Sequence, residues 1–471
     1  MSATHAVSSL LTLFCAGVAA AQTADIADSI DTFLKAELSR QRIPGMSVAV
    51  LRGDSVILAR GYGFAKVEDR VQATDSTLFM VGSLTKPFTA AAIVLLSQQR
   101  QLGLDDPITR YLPEGKAVWP KVTIRHLLTH TSGIPQDTTL DWSRDYSESE
   151  MARSAAQPLQ FEPGAQQSYS STGYALLGVI IHRVTGAPWG DFVRDHMFRP
   201  LEMRTARVNT DAERLPSRAA GYQLVNDTLR ANHDRPSRWI NSAADCCLSF
   251  SAPDLAQWAR GLNHEKVLGR AGLELSWTPV RLNNGATYPS GLGWNLFEQR
   301  GYRRIGHSGA WLGSHATFQR YPDFDLTIIV LLNLAQANSE GIAVGVAGIV
   351  EPALTPPHHA SIGRKGGAPP TSIDRLLGAI AAGNDSALVT PEFKATFPRA
   401  RREIIGSFLE MIDTWTFLGC DRVHDRGIIR LRSRIEHICY ARGTAQHGSW
   451  LFTVPYGPGW RAAGVDNVFG I

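Results

Sequence analysis

The stretch Val81-Gly82-Ser83-Leu84-Thr85-Lys86-Pro87-Phe88 decides how the rest of the chain is read, because it feeds a turn into a long apolar run with the character of a buried helix. Proline is accepted only in the first turn of a helix, so Pro87 predicts a helix starting near Ser83. Ser83 and Lys86 then lie three apart on one face, close enough to share a proton. An alcohol is a weak nucleophile near neutral pH and needs such a base within hydrogen-bond reach. The helix start adds backbone N–H donors and the positive end of the dipole, both favourable to an oxygen anion. An S-x-x-K tetrad is common by chance, so its meaning depends on what the remaining chain supplies.

The 471 residues suggest about three compact units and ample core. A formal charge of +4 is too small to imply a nucleic-acid or membrane surface. Residues 1–21 are uncharged apart from His5, carry the apolar run Leu10 to Val18 and end in Ala19-Ala20-Ala21. That is the pattern of a secretory signal with a weak positive end, which implies a periplasmic or secreted protein; the run is too short to span a bilayer. The residues before Cys15 do not fit a lipoprotein signal. The mature chain keeps Cys246, Cys247, Cys420 and Cys439, an even number. Cys420 and Cys439 end two strand-like runs, so a disulfide between them is an open option, whereas the adjacent Cys246 and Cys247 are expected to be two small buried thiols.

Residues 26–42 have helical apolar spacing. Gly45 to Leu51 and Ser55 to Tyr62 read as strands about Arg52-Gly53-Asp54, whose Gly and Asp serve a hairpin turn rather than adhesion. His126 and His130 have the spacing of a zinc helix, but Leu127 stands where a metalloprotease glutamate should be, so no metal site is expected and the histidines are assigned to local backbone. Tyr169-Ser170-Ser171 leads into an apolar helix from Thr172 to Val184, closed by Thr185-Gly186. Locally this tyrosine and serine fit a cleft or a core-plus-cap role equally well. Ser251 to Leu262 reads as a helix; Tyr302 to His307, Ala310 to Tyr321 and Leu326 to Leu332 read as strands. Strands near both ends with helices between imply one sheet built from both ends of the unit, plus an inserted helical lobe.

The expected domain plan is a signal over 1–21, a large α/β unit over 22–353, a Pro/Gly-rich linker over 354–372 and a small α+β unit over 373–471. In the last unit Ile429, Leu431, Ser433 and Ile435 alternate with Arg430, Arg432, Arg434 and Glu436, which predicts one half-exposed strand.

Gly306-His307-Ser308-Gly309-Ala310 offers a rival nucleophile, since it nearly matches the G-x-S-x-G elbow. That elbow needs Gly at 310 and a helix after it, but Trp311 to Tyr321 read as strand, so Ser308 is assigned to a strand edge.

Ser83-x-x-Lys86, Tyr169-Ser170-Ser171 and His307-Ser308-Gly309, in that order, resemble the three-part signature of the serine β-lactamase and penicillin-binding-protein superfamily. The Tyr-led middle motif is similar to the branch of class C β-lactamases, DD-peptidases, D-aminopeptidases and β-lactamase-like esterases. The resemblance covers roughly residues 25–352 and is supported by Asp106-Pro107-Ile108, Leu127 to Gly133, Pro163-Gly164 and Tyr174-Ala175-Leu176-Leu177-Gly178. It implies an α/β fold with an antiparallel sheet, flanking helices and an inserted lobe. It also implies acylation of Ser83, with Lys86 and Tyr169 handling the proton, backbone N–H groups of Ser83 and Ala310 as the oxyanion hole, and Ser171, His307, Ser308 and Gly309 contacting substrate. No cofactor is expected. Ser171 stands where Asn is usual and His307 where Lys is usual, which disfavours a site for the carboxylate of a penicillin. The implied activity is therefore acyl transfer on an ester or a D-amino-acid peptide, with a β-lactamase or a slowly turning over penicillin-binding protein as alternatives. The C-terminal unit faintly resembles a cone-shaped domain of the nuclear transport factor kind, and homo-oligomerisation through it is an open option.

Overall fold

In the computed structural model the described residues are 24–469, apart from 137–144, 210–217, 233–242, 356–367 and short stretches between 397 and 447. The 1–21 signal and most of the 354–372 linker lie outside them.

Helix α1 covers residues 24–40. Strands β1 (Gly45–Arg52), β2 (Ser55–Lys66) and β3 (Val71–Gln72) come from one end of the large unit. Strands β4 (Asn295–Gln299), β5 (Tyr302–Trp311), β6 (Ser314–Tyr321) and β7 (Leu326–Leu332) come from the other. They form one sheet in the order β4-β5-β6-β7-β1-β2-β3, and β7 closes it antiparallel onto β1 with Val48 opposite Val330. The two ends of the unit thus meet mid-sheet, as the strand distribution predicts.

Every residue of β1 except Arg52 is buried, because helices cover both faces and successive side chains alternate between them. Ala49, Leu51, Ile329 and Leu331 face a core shared with Phe88 and Ile93 of helix α2 (Lys86–Gln98). Val48, Val50, Ile328 and Val330 face the opposite core with Ile30 and Leu34 of α1. Ile342 and Val346 of helix α4 (Ser339–Val350) complete that second layer. The inserted lobe contributes helix α3 (Ser171–Thr185), whose Tyr174, Leu177 and Ile181 join the first core. In the β1–β2 turn Gly53 takes φ +57°, and the Asp54 carboxylate pairs with His264 Nε2 at 2.6 Å. The Arg-Gly-Asp triplet is therefore a structural turn.

The C-terminal unit holds a four-stranded antiparallel sheet of β8 (Thr414–Arg422), β9 (His437–Ala445), β10 (Gly448–Tyr456) and β11 (Asp466–Phe469). Cys420 and Cys439 are direct cross-strand partners and are bonded. Leu418, Ile438 and Tyr440 of this sheet pack on Val344 of α4. The single strand expected over 429–436 is corrected: Ile429–Arg430 and Ser433–Arg434 are two short antiparallel strands with Ile429 opposite Arg434. Alternation over so few residues fits a chain that reverses as well as one that continues. No helix among the described residues is long and apolar enough to cross a membrane.

Candidate active site

Ser83 lies in a 3-10 turn, Gly82–Thr85, that runs directly into α2 with Pro87 in its first turn. The expected helix start is thus refined: regular α-helix begins at Lys86, and the turn before it has three residues per turn. In such a turn side chains at i and i+3 eclipse, which aligns Lys86 over Ser83 more closely than an α-turn would. Lys86 Nζ donates to Ser83 Oγ at 3.0 Å, Ser171 Oγ at 3.3 Å and the Asp245 carbonyl at 2.8 Å. Lys86 is fully buried, and among the described residues it has no ion-pair partner. A buried ammonium satisfied only by hydroxyls and a carbonyl is a costly arrangement in a fold, and such groups concentrate at reactive sites.

The serine turn is pressed against β5. A Cβ added to Gly309 would lie 2.1 Å from the Val81 carbonyl and 2.5 Å from the Ser83 nitrogen. Gly82, at φ +52°, would place its Cβ 2.6 Å from the Ala310 nitrogen. Glycine at both positions lets the two backbones cross in contact, bringing the amides of Ser83 and Ala310 to one place.

Tyr169 and Ser171 come from the mouth of α3. Ser170 caps the helix by accepting from the Gly173 N–H, and its own N–H donates to His130 Nδ1 at 3.1 Å. The His130 ring packs against Tyr169 at a tilt of 31°, with centroids 4.4 Å apart. The Tyr169 ring centre is 4.9 Å from Lys86 Nζ. Tyr169 is 44% exposed, and its hydroxyl has no hydrogen-bond partner among the described residues, so it is available to a ligand.

His307 is buried, and loss of water contacts, followed by the Lys86 charge, pushes its pKa down to about 3. Its Nδ1 lies 2.6 Å from the Ser308 carbonyl; a carbonyl only accepts, so the proton of the neutral ring sits on Nδ1. His130 is likewise held neutral, first by burial and then by Lys86. The half-buried Asp245 carboxyl is pushed above the ordinary carboxylate range by burial, against the pull of Lys86 and of the Ser171 hydroxyl beside it.

Ser83, Lys86, Tyr169, Ser171, His307, Gly309 and Ala310 therefore gather at one crossing. Ser308 is turned away: its hydroxyl donates to the Glu340 carboxylate on α4, and β5 continues as strand to Trp311 with no helix after it, which ends the elbow reading. His130 departs from the local role expected of it, since Ser170, which it holds, is 40 residues away. His126 keeps the local role, accepting from the Thr123 N–H. Two further features were not foreseen. The Asp245 carbonyl has no local signal, and Cys246 and Cys247 are bonded to each other, which corrects the two-thiol expectation: the turn brings both sulfurs together next to the lysine's acceptor.

The chain matches the Beta-lactamase family model over residues 27–346. Penicillin-binding protein 4* of Bacillus subtilis (strain 168) is 32% identical over 311 residues, covering 61% of this chain and 67% of that protein. Protein flp of Staphylococcus aureus (strain MW2) is 29% identical over 331 residues, covering 68% and 64%. The chain thus spans about two thirds of the length of these curated relatives. Among solved structures, the octameric penicillin-binding protein homologue from Pyrococcus abyssi superposes with a TM-score of 0.61 at 22% identity, covering 94% of this chain and 98% of that one. A D-stereospecific amidohydrolase from Streptomyces sp. gives 0.58 at 23%, covering 68% and 97%; at these identities the likeness is one of fold. With the family model spanning most of the chain and the serine, lysine and tyrosine motifs meeting at one crossing, this protein belongs to the Beta-lactamase family, within the superfamily of serine β-lactamases and penicillin-binding proteins.

Proposed function

We propose that this protein is an exported serine hydrolase that cleaves an ester or a D-amino-acid peptide through an acyl-Ser83 intermediate. The observation that carries the reading is the buried Lys86, 3.0 Å from Ser83 Oγ and hydrogen-bonded to hydroxyls and a carbonyl rather than to a carboxylate. In the deprotonated state Lys86 accepts the Ser83 proton as Oγ attacks the substrate carbonyl carbon, and the oxyanion of the tetrahedral intermediate is held by the Ser83 and Ala310 N–H groups. The leaving alcohol or amine takes a proton passed through Tyr169. Water then attacks the acyl-enzyme, giving up its proton to the same pair and releasing the acid and free Ser83.

A neutral His307 and a single hydroxyl at Ser171 offer no fixed cation for a substrate carboxylate at their positions, which supports esters and neutral-ended amides over penicillins. The name of the Streptomyces neighbour, an amidohydrolase, is in keeping with this reading. Homo-oligomerisation is in keeping with the octameric Pyrococcus protein, which matches this chain nearly end to end, and the C-terminal unit is the part proposed to mediate it. The test is a panel of p-nitrophenyl esters, D-aminoacyl anilides, nitrocefin and a fluorescent penicillin on wild type and Ser83→Ala. Ester or D-peptide turnover lost in Ser83→Ala is expected. Stable penicillin labelling with no turnover of any substrate would replace this reading with that of a penicillin-binding receptor.

A further inference from the structure

The turn 243–248 is joined to the nucleophile's own helix by a series of backbone contacts. Thr89 Oγ1 donates to the Ala244 carbonyl at 2.6 Å, Lys86 Nζ to the Asp245 carbonyl at 2.8 Å, and the Leu248 N–H to Thr85 Oγ1 at 3.2 Å. The Val81 N–H donates to the Leu248 carbonyl at 3.0 Å, and the Asn209 N–H to the Cys247 carbonyl at 3.0 Å. In the middle sits the Cys246–Cys247 disulfide. Trp311, the last residue of the strand that carries Ala310, packs against this pair and Ala243. A bond between adjacent cysteines closes a small ring around the peptide that joins them, so the backbone on either side loses the freedom to rotate about that peptide. The carbonyl immediately before the ring is the one that holds Lys86.

We propose that the Cys246–Cys247 disulfide is a positioning element of the catalytic centre: it fixes the Asp245 carbonyl and, through it, Lys86 over Ser83, so that the redox state of this pair sets the rate of Ser83 acylation. The inference rests on the acyl-Ser83 reading. Reduction by a dithiol is balanced as follows. A reagent thiolate attacks Cys246 Sγ, the more exposed of the two at 5% against 0%, breaking the S–S bond; Cys247 leaves as a thiolate and takes up a proton. The second reagent thiol displaces Cys246, and two electrons and two protons have passed from the dithiol, now a cyclic disulfide, to two cysteine thiols. With the ring open, the turn regains backbone freedom and the carbonyl no longer holds a single position. Small misplacements of a reacting group cost up to about a hundredfold in rate.

The test measures kcat and KM separately on the intact chain, with an ester substrate, before and after dithiothreitol, counting freed thiols by alkylation and mass spectrometry. Loss of kcat by about tenfold to a hundredfold, KM little changed, recovery on reoxidation with glutathione disulfide, and an unchanged circular-dichroism spectrum are expected. Cys246→Ser/Cys247→Ser should sit at the low rate and ignore dithiothreitol, while Cys420→Ser/Cys439→Ser should keep the full response. Thiols already free in the untreated chain, or a reduced pair with undiminished kcat, would overturn the proposal. So would a spectrum lost in step with activity, since the bond would then be holding the fold rather than Lys86. Activity surviving in oxidised Ser83→Ala would instead bring down the acyl-Ser83 reading, whatever the dithiol does.

Discussion

Lys86 in the hydrolase unit and Asp385 in the C-terminal unit are both buried charged residues, 0% and 1% exposed, yet their surroundings differ. Asp385 lies 3.1 Å from the Arg402 guanidinium and 3.4 Å from Lys394 Nζ, so its charge is neutralised by side chains of its own unit. Lys86 hydrogen-bonds two hydroxyls and a carbonyl, the histidines near it are held neutral, and the one carboxyl that feels its charge, Asp245, is pushed toward the neutral form by burial. The first arrangement has the chemistry of a fold being held together. The second keeps an ammonium where a fold would do better with a hydrocarbon, which is the arrangement the proposed reaction needs.

The sharpest break in this comparison is Ser83→Ala, expected to lower kcat/KM by at least about 10⁴-fold while leaving the melting temperature within a few degrees. Lys86→Met follows, with a loss of about 10²- to 10⁴-fold in acylation measured by rapid-quench kinetics. Because it replaces a buried charge that no carboxylate hydrogen-bonds with an apolar chain of similar length, the melting temperature should hold or rise, as is common where stability has been given up for activity. Asp385→Ala should do the reverse. It leaves kcat unaltered but costs roughly 3 kcal/mol in urea unfolding, since it removes the buried carboxylate that Arg402 and Lys394 both face. If Lys86→Met instead destabilised the chain as much as Asp385→Ala, the contrast between the two clusters would be lost.

The neutral histidines beside Lys86 extend the comparison to the pH dependence of stability. His307 is held at about 3 in the folded state against an ordinary histidine value of 6.5. Between these limits the unfolded chain binds the proton that folded His307 refuses. The stabilisation is therefore complete above about pH 6.5 and falls as the pH drops toward 3, at roughly 1.4 kcal/mol per pH unit. His130, lowered by the same causes, acts in the same direction. Urea unfolding followed from pH 7 to pH 4 should show this slope, and His307→Gln should flatten it; an unchanged slope would mean the ring is charged in the folded protein.

Legibility in the sequence followed the range of the interaction. Strands β1, β2 and β7 and the turn at Gly53 could be read because alternation and turn chemistry are properties of neighbouring residues. The 429–436 segment misled for the same reason, since its alternation is satisfied by a hairpin as readily as by a strand. Ser83 and Lys86 could be paired because three residues of helical turn bring them together unaided. Tyr169 and His307 entered through the order of motifs, which carries no distance.

The sequence by itself determined the pairing of Ser83 with Lys86, most strands of the main sheet and the family. Only the tertiary structure decided what surrounds Lys86: the Asp245 carbonyl from 159 residues away, the His130 ring that packs against Tyr169, the Glu340 carboxylate that takes Ser308 and the bond between Cys246 and Cys247. The physical reason is that covalent spacing fixes geometry over a few residues. The environment of a buried ammonium, by contrast, is set by which distant backbones the two cores press against it.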